Sequence, residues 1–406
     1  MTMPNNIRRR RIVVFVPWIT QGRGGTENVG QFIANGLARR GHEVSIVTFD
    51  DARRPSRWPL SPSVDLIHAP TRADPDSELA LSTSVAALNP DVLIGLHMNR
   101  THQRYVRCAH RIGCPLILSE HTDPRFSARA GTFAPEERWI AFSGATRIHL
   151  LADAFRETLP DFLQPRIRVI PNAVPETDKV AHPEQGNPVR IVCVARLVPR
   201  KAIGRLISAV AEVRTGGGNC VLDLVGDGPE RRSLRRLARS LGIARQVNFI
   251  GEVADPGPYY AQAHIFALPS IYEAFPMASL EAMAHGLPVI GYGICNGINV
   301  QVLHGETGLL SSGGMSEGSL AADIARLVAD PALRARMGQA GRARARALYS
   351  PDTVLQDWAD LVEDAIAAGP PGARPDLESY LAARCDDLVW GDTTRLDLPP
   401  STGARK

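Results

Sequence analysis

A chain of 406 residues is longer than one ordinary domain and predicts two domains followed by a tail. Hydrophobic residues make up 44% of the sequence, no apolar run approaches the roughly eighteen residues that a membrane span needs, and the net charge is only +4. These values argue against both a membrane-spanning protein and a nucleic-acid-binding protein. The six cysteines lack the paired spacing of a metal site, which favours reduced thiols in the cytoplasm.

The N-terminal half alternates short apolar runs with helical stretches. RIVVFVPW is followed by GTENVGQFIANGLARRG, HEVSIVTF, DVLIGL and CPLILSE, a pattern typical of a parallel sheet with crossover helices. The first run is short and lacks a cleavage site, so it predicts a strand and not a signal peptide. The arginines at 8–11 would give at most a weak peripheral contact with anionic lipid at the inner face of a membrane.

The second half repeats this opening. After the proline-containing stretch PETDKVAHPEQGNP, which we interpret as a linker, RIVCVARL begins a second series of strands and helices. The sequence therefore predicts an α/β protein with two doubly wound domains that face each other across a cleft, at 1–178 and 179–368. The proline- and glycine-rich tail at 369–406 is predicted to be peripheral.

The stretch IYEAFPMASLEAMAHGLPVI at 271–290 contains two carboxylates on either side of a helix start. Pro276 suits the first turn of a helix and Gly286 the position after its end, which predicts a helix from about Pro276 to His285. Its first amides would bind a phosphate, Glu281 would lie about 7 Å along the helix near a ribose, and Glu273 would face a sugar. A surface helix with a solvated glutamate explains the same residues.

Lysine is rare in this chain. Of 46 basic residues only Lys179, Lys201 and Lys406 are lysine. In ARLVPRK, Arg196 directly follows a strand and Lys201 opens the next helix, so both could neutralise a diphosphate without a metal. Two exposed cations after a strand are the alternative.

Four other groups follow predicted strands or lie in loops of the first half. Gly24 and Gly25 in GRGGTE either approach a phosphate or form a tight turn. His97 in LIGLHMN, like His121 in SEHTDP, is either a catalytic group or a core histidine. The pair Asp74 and Asp76 lies in a proline-containing loop away from any strand end, so we do not expect a metal site there.

Several motifs together resemble the retaining glycosyltransferases of family four, which have the GT-B fold. They are GGTE, VIPNAV, ARLVPRK, LVGDGPE, FIGEV and EAFPMASLE, and the resemblance extends from about residue 11 to 365. It implies two Rossmann-like domains, a UDP- or GDP-sugar donor held mainly by the second domain, and no metal or other cofactor. It also implies that a final helix near PDTVLQDWADLVEDAIA returns to the first domain.

The resemblance also assigns roles to individual residues. Arg196 and Lys201 would bind the diphosphate, Glu281 the ribose, and His97 and Glu273 would be catalytic. Other donor contacts would come from Val253, Phe275, Pro276, Met277 and Ala278. Apart from the resemblance, Gly24 and Gly25 are predicted donor contacts, and Glu27 and His121 are predicted to lie on the acceptor side. Alanine stands where the family usually has glycine at Ala173, Ala202 and Ala274.

The activity expected is transfer of a sugar, with retention, to a hydroxyl acceptor such as a saccharide, a lipid-linked saccharide or a small molecule. One alternative is a nucleotide-sugar epimerase of the same fold, in which Glu120 and His121 would act as acid and base. Another is a nucleotide-sugar-binding protein without catalysis.

Overall fold

A computed structural model describes residues 8–20, 24–50, 54–56, 58–72, 74–96, 102–130, 135–312 and 317–371. The chain forms two compact units, one made of Met1–Ile170 with Leu355–Lys406 and the other of Pro171–Val354. The change between them at Ile170 precedes the predicted linker by a few residues.

The first unit contains a parallel sheet whose strands are β1 (Arg11–Phe15), β2 (Glu43–Thr48), β3 (Val64–His68), β4 (Val92–Leu96), β5 (Leu116–Ser119), β6 (Arg147–Leu150) and β7 (Ile167–Val169). Their order is β3-β2-β1-β4-β5-β6-β7. The helices are α1 (Gly25–Arg39), α2 (Pro75–Ala87), α3 (His102–Ile112), α4 (Pro124–Arg129) and α5 (Pro135–Ser143), with 3-10 helices at Asp153–Thr158 and Asp161–Arg166.

The second unit repeats this arrangement with β8 (Val189–Val194), β9 (Cys220–Val225), β10 (Val247–Gly251), β11 (Ile265–Leu268), β12 (Val289–Tyr292) and β13 (Gly308–Ser311). The order is β10-β9-β8-β11-β12-β13, again all parallel. A 3-10 turn at Pro199–Lys201 directly precedes the first helix of this unit. The helices are α6 (Ile203–Thr215), α7 (Arg231–Ser240), α8 (Gly257–Ala261), α9 (Met277–Ala284), α10 (Asn296–Asn299), α11 (Glu317–Ala329) and α12 (Pro331–Leu348).

The last helix, α13 (Pro351–Ala368), belongs to the first unit from Leu355 onward. Trp358 is 1% exposed, so it is a core residue of that unit. Arg10 donates to Glu363 at 2.8 Å, and Arg147 donates to Asp364 at 2.7 Å. The helix is thus fixed by apolar burial on one side and by ion pairs on the other.

Both sheets confirm the predicted doubly wound α/β fold. In each sheet the chain order reverses beside the first strand, between β1 and β4 in one unit and between β8 and β11 in the other. Ligands in such sheets bind beyond the carboxyl ends of the strands at this reversal. A ligand site in the second unit is therefore expected among the residues that follow β8 and β11.

The segment at Asp74 and Asp76, interpreted as a loop, begins a helix, so that interpretation was wrong. Asp74 is the N-cap of α2, and its carboxylate accepts from the amide of Ser77 at 2.8 Å. Asp123 caps α4 in the same way. In both cases proline follows the aspartate at the first helical position, where its missing N–H costs nothing.

Candidate functional site

The loops after β8 and β11 bring opposite charges together in the second unit. Lys201, at the end of the turn after β8, donates from Nζ to Oε1 of Glu273, which lies beyond β11. Arg200 places Nη1 3.7 Å from Oε2 of the same carboxylate. The amide of Ile271 also donates to the carbonyl of Arg200 at 3.0 Å, so the two loops are joined through the backbone as well.

Glu273 is only 7% exposed. Burial alone would raise the pKa of this carboxyl, but the charges of Lys201 and Arg200 outweigh burial and hold the pKa below its ordinary value. The cluster is thus a buried carboxylate with two cations beside it. Removal of either Lys201 or Glu273 would leave the other poorly compensated.

Arg196 lies in the same loop but outside this cluster. Its side chain is exposed and has no ion pair or hydrogen bond within the described part of the chain. The turn after β9 packs directly against the backbone of this loop. A Cβ atom at Gly226 would overlap the carbonyl oxygen of Ala195, so the close approach requires glycine. The sequence motif therefore named one member of the charged cluster, Lys201, and missed Arg200.

Helix α9 begins at Met277 and ends at Ala284, within one residue of the prediction. Its first amides have no partner inside the helix. The carbonyl of the preceding residue, Pro276, accepts from Ser279 Oγ at 3.0 Å and from Gln301 Nε2 at 3.1 Å. Gly286 has φ +81°, as the predicted helix stop requires. The helix start is consequently rigid, with its amides directed along the axis.

Glu281 lies half-buried on α9 and accepts a hydrogen bond from Tyr260 Oη at 2.8 Å. Burial raises the pKa of Glu281, although the tyrosine bond opposes the shift. Val253, proposed to lie beside the base, follows β10 and is half-buried.

Two small residues shape the backbone around the cluster. A Cβ atom at Gly297, in α10, would overlap the carbonyl oxygen of Glu273. Ala202 adopts φ 50° and ψ 35°, a left-handed conformation that suits glycine better than alanine. This explains in physical terms why glycine is expected after the lysine.

In the first unit, Gly24 and Gly25 form the start of α1. A Cβ atom at Gly24 would lie 2.6 Å from Oε2 of Glu27, so the glycine leaves room for this 3% exposed carboxylate. Their proposed roles as donor and acceptor contacts stay predictions.

His97 lies outside the described residues. His121 follows β5, is half-buried, and its Nε2 is 2.7 Å from Ser119 Oγ. The same hydroxyl is 2.7 Å from Nδ1 of His149 in β6. His149 Nε2 lies 2.8 Å from the carbonyl oxygen of Ile170, and its ring centroid is 4.5 Å from that of Trp358.

Glu120, the neighbour of His121, forms a buried bidentate pair with Arg138, with two contacts of 2.6 Å. In the described ranges no three His, Cys, Asp or Glu side chains form a candidate metal site. Five cysteines are described, and all are buried thiols: Cys108, Cys114, Cys193, Cys220 and Cys295. Of the helices described, none has the length and apolarity to cross a bilayer.

Sequence models of two families match the chain. The model described as "Glycosyltransferase Family 4" matches residues 23–178, and that described as "Glycosyl transferases group 1" matches residues 175–344. The second match contains the whole Lys201–Glu273 cluster and α9.

Curated relatives agree with these matches. The chain is 32% identical over 410 residues to a D-inositol 3-phosphate glycosyltransferase of Corynebacterium efficiens, covering 87% of this chain and 92% of that protein. It is 36% identical over 187 residues to a GDP-mannose-dependent alpha-(1-6)-phosphatidylinositol monomannoside mannosyltransferase of Mycobacterium tuberculosis, covering 44% of this chain and 48% of that protein. The chain covers only 23% of the length of another relative. It therefore spans less than half of that relative and less than half of the mannosyltransferase.

The architecture also matches solved structures. Anabaena Alr3699/HepE in complex with UDP and glucose superposes with a TM-score of 0.70 over 87% of this chain and 100% of that chain. At 20% sequence identity this likeness establishes the fold alone.

Proposed function

Since the chain belongs to the group 1 glycosyltransferases of family four, we propose that it transfers a hexose from a nucleoside diphosphate sugar to a hydroxyl group. Transfer retains the anomeric configuration and uses no metal ion. The observation that carries the proposal is the Lys201–Glu273–Arg200 cluster beside the start of α9, at the strand-order reversal of the second sheet.

The diphosphate binds between the first amides of α9 and the ammonium of Lys201. Helix N-termini attract anions through unpaired N–H groups and a partial positive charge. Lysine has three donors, so Lys201 can keep its bond to Glu273 while it donates to a phosphate oxygen. Arg196, exposed in the same loop, supplies a second cation.

Glu273 orients Lys201 and contacts the sugar. Its lowered pKa keeps it ionised at neutral pH, so it accepts hydrogen bonds and does not act as a general acid. Sugar hydroxyls beside it would donate to the free lone pairs of the carboxylate. At the other side of the diphosphate, Glu281 accepts from ribose hydroxyls with Tyr260 fixing one of its oxygens.

In the reaction the bond between the anomeric carbon and the diphosphate oxygen breaks as the acceptor oxygen bonds to that carbon from the same face. The acceptor proton passes to the departing diphosphate oxygen. Negative charge develops on the diphosphate as its bond to the anomeric carbon breaks, and cations and amides placed there in advance stabilise this charge. The role of His97, which lies outside the described residues, stays a prediction.

The epimerase alternative needs an acid and a base, and Glu120 suits neither role. Both of its oxygens are occupied by Arg138, and the two side chains are 4% exposed. This observation favours sugar transfer over epimerisation.

Incubation with labelled UDP- and GDP-sugars and a panel of hydroxyl acceptors tests the proposal. We expect release of the nucleoside diphosphate together with a new glycoside of unchanged anomeric configuration, in the presence of excess chelator. A product that is an epimer of the donor would support the alternative activity. Activity that disappears with chelator and returns with manganese or magnesium would overturn the metal-free mechanism.

A further inference from the structure

The peptide group that precedes α9 is fixed from the interior of the second unit. Its oxygen, the carbonyl of Pro276, accepts a hydrogen bond from Gln301 Nε2 at 3.1 Å and another from Ser279 Oγ at 3.0 Å. Gln301 and Ser279 are both 0% exposed, so this carbonyl faces the buried side of the helix start. A carbonyl oxygen only accepts, and the nitrogen of the Gln301 amide is therefore the atom that faces it.

The side chain of Gln301 is itself fixed at both ends. While Nε2 donates to Pro276, Oε1 contacts the hydroxyl of Ser279. The backbone is fixed as well, because the carbonyl of Gln301 accepts from Arg344 Nε at 3.0 Å and its amide donates to the carbonyl of Ile298 at 3.0 Å. The donor that faces Pro276 is consequently part of the packed interior.

The orientation of this peptide group determines the direction of an N–H group. The bond between Pro276 and Met277 is trans, and in a planar trans peptide the N–H points opposite to the C=O. Because the carbonyl points to the buried Gln301, the N–H of Met277 points away from the buried side. Met277 is half-buried, and its N–H has no acceptor among the residues that the structure describes.

We infer that Gln301 is a positioning residue that directs the Met277 N–H toward a phosphate oxygen of the bound nucleotide. Gln301 acts through the peptide group and not by contact with the nucleotide. The orientation of the peptide group concerns the protein alone, whereas the phosphate rests on the proposed function.

Two physical effects make this orientation useful. Pro276 has no N–H, so Met277 carries the first N–H of α9, and that N–H has no helical partner to fix its direction. A hydrogen bond accepted by the carbonyl also polarises the peptide group and makes its N–H a stronger donor. An amide oriented before binding stabilises the charge of the departing diphosphate without having to reorganise.

The amide signal of Met277 tests the orientation directly. Selective ¹⁵N labelling of the 7 methionines gives few amide signals, and Met277→Leu identifies the relevant one. In the parent we expect this signal to move to lower field when UDP, GDP or inorganic pyrophosphate is added. In Gln301→Leu the signal of the free protein should change, and its movement on addition of these anions should be smaller.

Thr307→Val is the matched control. Thr307 is 2% exposed, and its Oγ1 accepts from the amide of Leu303 at 2.9 Å, so the variant removes another buried hydrogen bond close to Gln301 in the chain. The Met277 signal should be the same in Thr307→Val as in the parent.

Affinities distinguish positioning from a general loosening of the site. Gln301→Leu should raise the Kd for UDP, GDP and pyrophosphate about tenfold, as expected for one hydrogen bond to a charged group. The Kd for uridine and guanosine should change less than about twofold, because neither nucleoside has a phosphate. Ser279→Ala keeps the bond from Gln301 to Pro276 and should have a smaller effect of the same kind, while Thr307→Val should change none of these constants.

The inference alone is overturned if the parent binds the nucleotides without any movement of the Met277 signal. It is also overturned if Gln301→Leu keeps full affinity for the diphosphates, or loses affinity for nucleosides to the same extent. Should Gln301→Leu not fold, Ser279→Ala decides by the same measurements. If UDP, GDP and pyrophosphate all fail to bind to the parent, the proposed function is wrong together with this inference.

Discussion

The carboxyl edges of the two sheets carry different chemistry. At the edge of the second sheet, Lys201, Arg200 and Glu273 form a charged cluster. At the described edge of the first sheet, a serine joins His121 to His149, and the nearby charges of Glu120 and Arg138 compensate each other. The same strand order therefore carries two different side-chain groups, a carboxylate with two cations in one unit and two histidines joined by a hydroxyl in the other.

The largest effect should come from the charged edge. Lys201→Ala removes the ammonium proposed to neutralise the leaving diphosphate and should lower kcat/KM by roughly 10²–10³-fold. Binding of UDP and GDP should weaken by about 1.5–3 kcal/mol in calorimetric titrations. Lys201→Arg should recover only part, because a planar guanidinium does not replace a compact ammonium.

Lys179 offers a matched control for this change. It pairs with Asp255 at 3.6 Å with both side chains more than 60% exposed, and Lys179→Ala should leave binding unaltered. If Lys201→Ala binds both nucleotides as tightly as the parent, the assignment of the diphosphate to this cluster is wrong.

His149, in the sheet of the first unit, should affect how the stability of that unit depends on pH. Since the pKa of His149 is lowered to about 4, the unfolded chain binds a proton below about pH 6.5 that the folded unit does not. Lowering the pH from about 6.5 to about 4 should therefore reduce the unfolding free energy of the first unit by on the order of 3 kcal/mol. Glu273, with a lowered pKa, should contribute stability that is lost only at lower pH.

Denaturation at several pH values in the parent and in His149→Phe isolates this contribution. Phenylalanine keeps a ring against Trp358 but cannot bind a proton, so the variant should lose less stability between about pH 6.5 and 4. Equal slopes in the two proteins would show that His149 does not titrate as described.

A smaller effect is expected from Gly297→Ala, which alters the charged edge without removing a charge. The added Cβ atom would press on the carbonyl of Glu273 and displace the carboxylate from Lys201. We expect nucleotide binding to weaken by about 1–3 kcal/mol, the usual cost of overpacking. Gly204→Ala is the control, because its Cβ would lie 3.4 Å from the nearest side-chain atom. Full affinity in folded Gly297→Ala would contradict the close packing at this edge.

The smallest effect should come from Ala202→Gly. Glycine relieves the left-handed strain of about 1 kcal/mol but increases the entropy of the unfolded chain, so a net gain of at most about 0.5 kcal/mol is expected. Asn89→Gly in the first unit is the comparison, since asparagine at φ 48° tolerates that conformation. Thermal unfolding of both variants measures the difference. A loss above about 1 kcal/mol in Ala202→Gly would show that the alanine is not strained.

Much of the fold followed from local signals. The apolar runs RIVVFVPW, DVLIGL and RIVCVARL predicted the strands β1, β4 and β8, and proline before and glycine after predicted α9 to within one residue. The start of α2 was missed because Asp74 was considered as a metal ligand and not as an N-cap. The aspartate–proline pair carried that information, and Asp330 and Pro331 begin α12 in the same way.

The candidate site was harder to predict where partners are distant in sequence. Lys201 was noticed because lysine is rare, but nothing local distinguishes Arg200 from Arg196. Ser119 and His149 are 30 residues apart and meet only because β5 and β6 pair in parallel. Strand register of this kind is a property of the folded sheet and not of any short segment.

The return of α13 to the first unit sets an order for the completion of folding during synthesis. The core of that unit includes Trp358, Leu361, Val362 and Ala365, each at most 3% exposed, whereas the second unit is the uninterrupted segment Pro171–Val354. Domains usually become complete from the N-terminus as the ribosome releases them. Here the unit that is synthesised first cannot bury its full core until the whole of the other unit has left the ribosome.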